Sequence, residues 1–209
     1  MKKITIICLS LFLIMLPACT NSTKIKKLTT EDIKKYTSQM KSDPLSGDIT
    51  LNGKKYSLPM KAKQLVDDGF KFNDYADKGQ PLKDGYYVQS IHMDDGSKSE
   101  ESKIDVTLFN TSGATVKFDD AMLGAIVVAK TSSSYKNTVV LPKGITLNST
   151  YNDVIKAYGA PKTDYMKQAG WIIYYNTDIG NYGQELRIYF DTHSKTITSI
   201  NLKNIPYKN

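Results

Sequence analysis

The chain has 209 residues, with 28 basic and 21 acidic side chains and a formal charge of +7. It holds two cysteines, Cys8 and Cys19, and two histidines, His92 and His193, too few for a disulfide framework and too widely spaced for a Cys/His metal motif. Nearly all the positive charge is lysine, and Arg187 is the only arginine. Sequence-reading nucleic-acid binders lean on the bidentate arginine fork, so nucleic acid is not expected as a partner.

Residues 1–18 read as a signal segment: Lys2 and Lys3, then an apolar run from Ile4 to Leu16, then Ala18 before Cys19. The run is shorter than the ~20 apolar residues that span a bilayer. Leu16-Pro17-Ala18-Cys19 resembles the lipobox of bacterial lipoproteins, with Pro17 where that family carries a small residue. The resemblance implies cleavage before Cys19 and a diacylglyceryl thioether on its sulfur. The exported chain then keeps 191 residues, no free thiol and a charge of +5. The expected location is the extracytoplasmic face of the cell membrane, held there by lipid. The Lys, Asn, Tyr and Ile bias suggests an AT-rich genome, as in many Gram-positive bacteria.

Residues 19–48 read as a tether. Lys24 to Lys27 add basic charge beside the lipid. Thr30 to Met40 predicts a short helix capped by Thr30, with Ile33, Tyr36 and Met40 on one face. Pro44 and Gly47 mark the boundary.

A first unit, 49–131, opens with a hairpin from Ile49 to Leu58 around Asn52-Gly53. A short helix follows, with Pro59 at its start, Ala62, Leu65 and Val66 as its apolar stripe and Gly69 at its end. Strands are expected at Tyr86–Met93, Ile104–Phe109 and Met122–Ala129. A second unit, 138–207, runs from a strand at Val139–Leu141 into the best-punctuated helix of the chain. There Thr150 or Ser149 can cap the helix, Asp153 stands three residues after Thr150 as in a capping box, Tyr151, Val154, Ile155 and Tyr158 make one stripe, and Gly159 and Pro161 end it. Strands follow at Trp171–Tyr175, Glu185–Phe190 and Thr196–Leu202. Setting Ile145 over Tyr56 aligns Leu147 with Leu58, Val154 with Leu65 and Ile155 with Val66, which suggests a duplicated unit.

The fold expected is α+β: two tandem modules, each a short helix packed on a three- to four-stranded antiparallel sheet. Asp153-Val154 and Gly159-Ala160-Pro161, followed by a three-strand meander, resemble the helix that opens the β-lactamase-inhibitor-like fold. That unit also occurs in small outer-membrane-assembly lipoproteins. The resemblance implies protein binding through a concave sheet face and carries no catalytic residue.

His92 and His193 lack a Cys or His neighbour at metal-ligand spacing, so neither a metal nor a cofactor is expected. No nucleophile elbow, zinc-helix or Walker pattern occurs, and Ser38-to-Lys41 and Ser132-to-Lys136 stand without companion motifs. Asp94, Asp95, Glu100 and Glu101 miss the EF-hand spacing and read as a hairpin tip. A catalytic role is therefore not expected. Tyrosine is more informative: there are 14, and Tyr and Trp dominate interface hot spots. Trp171, Tyr174, Arg187 and Tyr189 are the candidate partner-binding residues. The expected function is non-enzymatic: a lipid-anchored envelope protein that binds another protein by a sheet face. The alternative is capture of a small ligand, peptide or wall polymer between the modules.

Overall fold

The computed structural model describes residues 44–73, 79–175 and 183–205. The expected signal segment, Cys19, the Thr30–Met40 helix and the Ser38-to-Lys41 pattern lie outside them.

Strands β1 (Asp48–Leu51) and β2 (Lys54–Ser57) form the expected hairpin. Asn52 and Gly53 both take positive φ, 51° and 80°, as a two-residue type I′ turn requires. The next helix is displaced from its expected start. Pro59 precedes a two-residue strand, β3 (Met60–Lys61), and α1 covers only Lys63–Asp67. Met60 and Lys61 join the edge of a neighbouring strand at Leu123 and Met122, so tertiary pairing overrides the helical pattern there. The short strands β4 (Lys71–Phe72) and β5 (Pro81–Leu82) follow, then β6 (Tyr87–Asp94), β7 (Ile104–Phe109), the two-residue β8 (Val116–Lys117) and β9 (Met122–Ala129).

In the second half, β10 (Val139–Leu141) and β11 (Ile145–Thr146) lead into α2 (Tyr151–Tyr158). Its capping box is complete. Thr150 Oγ1 accepts from the Asp153 amide at 3.3 Å, and the Asp153 carboxylate accepts from the Thr150 amide at 2.8 Å. The Thr150 amide and, at 2.7 Å, the Thr150 hydroxyl both donate to the Asp153 carboxylate and, the backbone bond foremost, hold it below its usual pKa. Gly159 ends the helix at φ 85° and ψ −164°. That is positive φ but outside the left-handed helical basin, because the chain extends at once into Pro161 and β12 (Thr163–Asp164). A single-turn helix, α3 (Met166–Ala169), precedes β13 (Trp171–Tyr175), β14 (Gly183–Phe190) and β15 (Ile197–Ile205).

The architecture is α+β and sheet-dominated. Nine strands form one antiparallel sheet, in the order β12-β13-β14-β15-β9-β7-β6-β4, with β3 also paired to β9. The two halves of the chain therefore share a sheet. They meet where β15 pairs with β9, from Ser199 opposite Ala129 to Lys203 opposite Ala125. A second sheet, β11-β10-β1-β2, is shared in the same way, with Thr50 opposite Val140 and Leu51 opposite Val139. One buried cluster fills the space between the sheets and helices. It draws Leu51, Leu65, Ile126 and Val128 from the first half and Val154, Tyr158, Tyr174, Ile188 and Leu202 from the second. Tyr158 and Tyr174 meet edge to face at 5.7 Å, a favoured aromatic geometry. Both hydroxyls donate to backbone carbonyls, of Pro142 at 2.6 Å and Gly159 at 2.7 Å.

Gly124 shows how closely the large sheet is filled. A Cβ there would lie 2.5 Å from Ile205 Cγ1 and 2.9 Å from the Phe109 ring. Gly124→Ala should lower stability by about 1–3 kcal/mol through overpacking, read as a lower urea midpoint at unchanged slope. An unchanged midpoint would mean that Ile205 and Phe109 swing aside at no cost.

Candidate partner-binding face

The helices and the small sheet cover one face of the nine-stranded sheet. The other face follows from strand periodicity, since alternate residues point to opposite sides. Ile172 and Tyr174 of β13, Leu186 and Ile188 of β14 and Ile200 and Leu202 of β15 point into the core. Their neighbours form three rows across the opposite face. Trp171, Tyr189, Ser199 and Ala129 make the first. Ile173, Arg187, Asn201, Val127, Asp105 and His92 make the second. Tyr175, Glu185, Lys203, Ala125 and Thr107 make the third.

Of the four candidate residues, three fall together on this face. Trp171 and Tyr189 are cross-strand partners, half-buried. The Arg187 guanidinium lies 5.6 Å from the Trp171 ring centre, within cation–π range, and donates to Tyr189 Oη at a long 3.5 Å. Tyr174 does not join them. It is 0% exposed on the core side. A period of two places residue 174 opposite residue 171, and the unbroken run Trp-Ile-Ile-Tyr-Tyr hides that alternation.

Tyr165 takes the place intended for Tyr174. It sits in the turn between β12 and α3, 44% exposed, with its ring 4.6 Å from Trp171. No periodicity marks a residue in a tight turn, so sequence reading missed it. The only available signal was its place six residues before the single tryptophan. Beside it, Asp164 accepts from Tyr151 Oη at 2.6 Å, and this bond is the main cause of a Tyr151 pKa pushed up to about 12.

Charge on the face is internally matched. Glu185 accepts from Arg187 Nε at 3.1 Å and from Lys203 Nζ at 3.4 Å. His92 Nδ1 contacts the Asp105 carboxylate on the neighbouring strand. His193 lies away from the face, exposed in the turn between β14 and β15, where its amide donates to Asp191 at 3.0 Å. Among the described residues no three His, Cys, Asp or Glu side chains converge as metal ligands. The Asp94–Glu101 segment is a turn whose carboxylates serve the turn itself. Asp94 accepts from the Gly96 amide at 2.6 Å and Asp95 from the Ser102 hydroxyl at 2.8 Å. Glu100 and Glu101 pair with Lys103 and Lys136.

The Arg187 guanidinium over the Trp171 ring, with Tyr165 and the Tyr189 hydroxyl beside them, thus forms one polar and aromatic cluster on the side of the sheet away from the main core. Comparison with protein-family models, curated proteins and solved structures finds no match.

Proposed function

We propose that this chain is a non-enzymatic, lipid-anchored envelope protein that binds another protein through the Tyr165–Trp171–Arg187–Tyr189 edge of its large sheet. The observation that carries this is the stack itself. Two tyrosines, the single tryptophan and the single arginine meet on the face turned away from the core. Trp, Tyr and Arg are the residue types enriched at interface hot spots. The lipobox-like Leu16–Cys19 supports anchoring, and no helix among the described residues is long and apolar enough to cross a membrane.

The symmetry of the pairings supports a duplicated unit. At both junctions the meeting strands are equivalents in the two halves, β1 with β10 and β9 with β15. Leu65 and Val154, aligned by the repeat, are both 0% exposed. The resemblance of Asp153–Pro161 to the opening helix of the β-lactamase-inhibitor-like fold fits the same reading, in which the sheet face is the working surface.

Ligand capture between the halves is the alternative. Its best support is a cavity of about 550 Å3 lined from both halves, by Thr50, Lys55 and Tyr56 of the first and Val140 and Pro142 of the second. The Tyr56 hydroxyl there already donates to Asp68 at 2.6 Å, which leaves fewer groups to recognise a ligand.

The test is crosslinking on intact cells with benzoylphenylalanine in place of Tyr189, which keeps an aromatic ring at that position. One dominant protein adduct is expected, falling at least ~10-fold when Arg187→Glu reverses the charge. Adducts only to lipid or wall glycan, or a protein adduct indifferent to Arg187→Glu, would remove this edge as the binding site.

A further inference from the structure

The hairpin turn Asn52-Gly53 is the only Asn-Gly pair in the chain, and both residues are exposed to water. Such a pair carries a reaction of its own. The glycine amide nitrogen attacks the asparagine Cγ, since glycine has no Cβ to obstruct the approach. The N–Cγ bond forms and the Cγ–Nδ2 bond breaks. Nδ2 leaves as ammonia, taking up the proton that the glycine amide gives up. Water then opens the cyclic imide at either carbonyl, leaving aspartate or isoaspartate. The first step requires a side chain free to reach a near-attack geometry.

Here the side chain is held at both polar atoms. Oδ1 accepts from the Thr138 amide at 2.8 Å, and Nδ2 donates to Asn137 Oδ1 at 2.7 Å. The first bond continues the junction between the halves. Registered pairing of β1 with β10 ends at Leu51 opposite Val139. One residue further, the Asn52 amide still donates to the Thr138 carbonyl at 2.9 Å. Asn52 has by then turned to φ 51°, and its side chain returns the bond in place of its carbonyl.

The second bond has a fixed partner. Asn137 is 6% exposed, and its own Nδ2 donates to the Ser102 carbonyl at 2.6 Å and to Tyr135 Oη at 3.3 Å. It cannot turn its amide over without losing both. Sterically the turn is open. Apart from the neighbouring residues, no described atom lies within 4 Å of the place where a Gly53 Cβ would stand. The two side-chain hydrogen bonds are therefore what keeps Asn52 Cγ from the Gly53 nitrogen.

We propose that Asn52-Gly53 is a self-modification site held shut by the junction between the two halves of the chain. While β1 pairs with β10, both polar atoms of the Asn52 side chain are occupied and imide formation is slow. When that pairing opens, the turn deamidates. The change is one-way, because the ammonia is lost. Aspartate at this position turns an acceptor toward Asn137 Oδ1, where Nδ2 had donated. Isoaspartate adds a methylene to the backbone of a two-residue turn whose geometry is set by its length. Position 52 therefore records that the junction has opened.

The test needs no partner. The purified full chain is kept folded in neutral buffer, or unfolded in urea at the same pH. Peptide mass spectrometry follows asparagine, aspartate and isoaspartate at position 52 over time. Two hydrogen bonds of ordinary net strength should make the folded chain at least ~5-fold slower than the unfolded one. Asn137→Ala, shown to be folded by circular dichroism, removes one of them and should speed deamidation about 2- to 10-fold. Gly124→Ala weakens the fold without touching the turn and should leave the rate in buffer as it is. Equal rates in the folded and unfolded chain would overturn the proposal, and that comparison stands whether or not Asn137→Ala folds. A folded Asn137→Ala no faster than the unchanged chain would overturn it too. So would a rise with Gly124→Ala as large as with Asn137→Ala, since global unfolding would then be the gate. None of these outcomes bears on the aromatic edge.

Discussion

Tyr174→Ala should unfold the protein far more readily than Tyr189→Ala, although the two tyrosines lie on paired neighbouring strands. Tyr174 is 0% exposed, meets Tyr158 edge to face and donates to the Gly159 carbonyl. Truncating a buried aromatic leaves a cavity and costs about 3–5 kcal/mol. For a chain of this size that lowers Tm by roughly 6–20 °C. It is also a large share of the ~5–15 kcal/mol that holds a typical domain folded. Tyr174→Phe keeps the ring and loses only the hydrogen bond, about 0.5–1.5 kcal/mol. Tyr189 is half-buried on the opposite face, and its truncation should cost about 1 kcal/mol or less. Urea unfolding of the three variants separates these cases. A Tyr189→Ala loss as large as that of Tyr174→Ala would make Tyr189 a core residue and remove it from the binding edge.

That contrast also marks what could be read in the sequence. Strict alternation exposed both faces of β14, where Leu186, Ile188 and Phe190 turn in and Glu185, Arg187 and Tyr189 turn out, as the structure has them. The capping box at Thr150 and the Asn52-Gly53 turn were equally legible, because each is a local solution to a local backbone need. Trp171–Tyr175 gave its boundaries but not its faces, since five large apolar residues carry no period. Two-residue strands such as β3 and β12 were illegible. They exist only because a neighbouring strand offers an edge, and Met60 says nothing of Leu123. The pairing of β15 with β9 joins residues about 70 apart, Ser199 with Ala129, and no local signal encodes it. The candidate site was legible to the same extent: Arg187 and Tyr189 from alternation, Trp171 by its rarity, Tyr165 not at all.

The shared sheets bear directly on whether the two halves are independent, and there the expected effect is larger still. A fragment of residues 138–209 should not fold alone. Cut from the first half, β15 would become a nine-residue edge with its backbone groups unpaired, the kind of edge folded proteins avoid. Strands β10 and β11 would lose β1 and remain a two-stranded ribbon with two registered pairs, marginal in water. The intact chain should therefore unfold in one transition. Trp171, the only tryptophan, reports the second half, while amide circular dichroism reports both; the two urea curves should coincide. A sharper form uses Ile126, 0% exposed in the first half and opposite Leu202 across the junction. Ile126→Ala should cost about 2–5 kcal/mol and move the Trp171 transition by the full amount, although no residue of the second half has changed. A Trp171 midpoint that stays in place while circular dichroism acquires an earlier step would mean that the halves are separable modules joined edge to edge. The sheet would then be two surfaces rather than one.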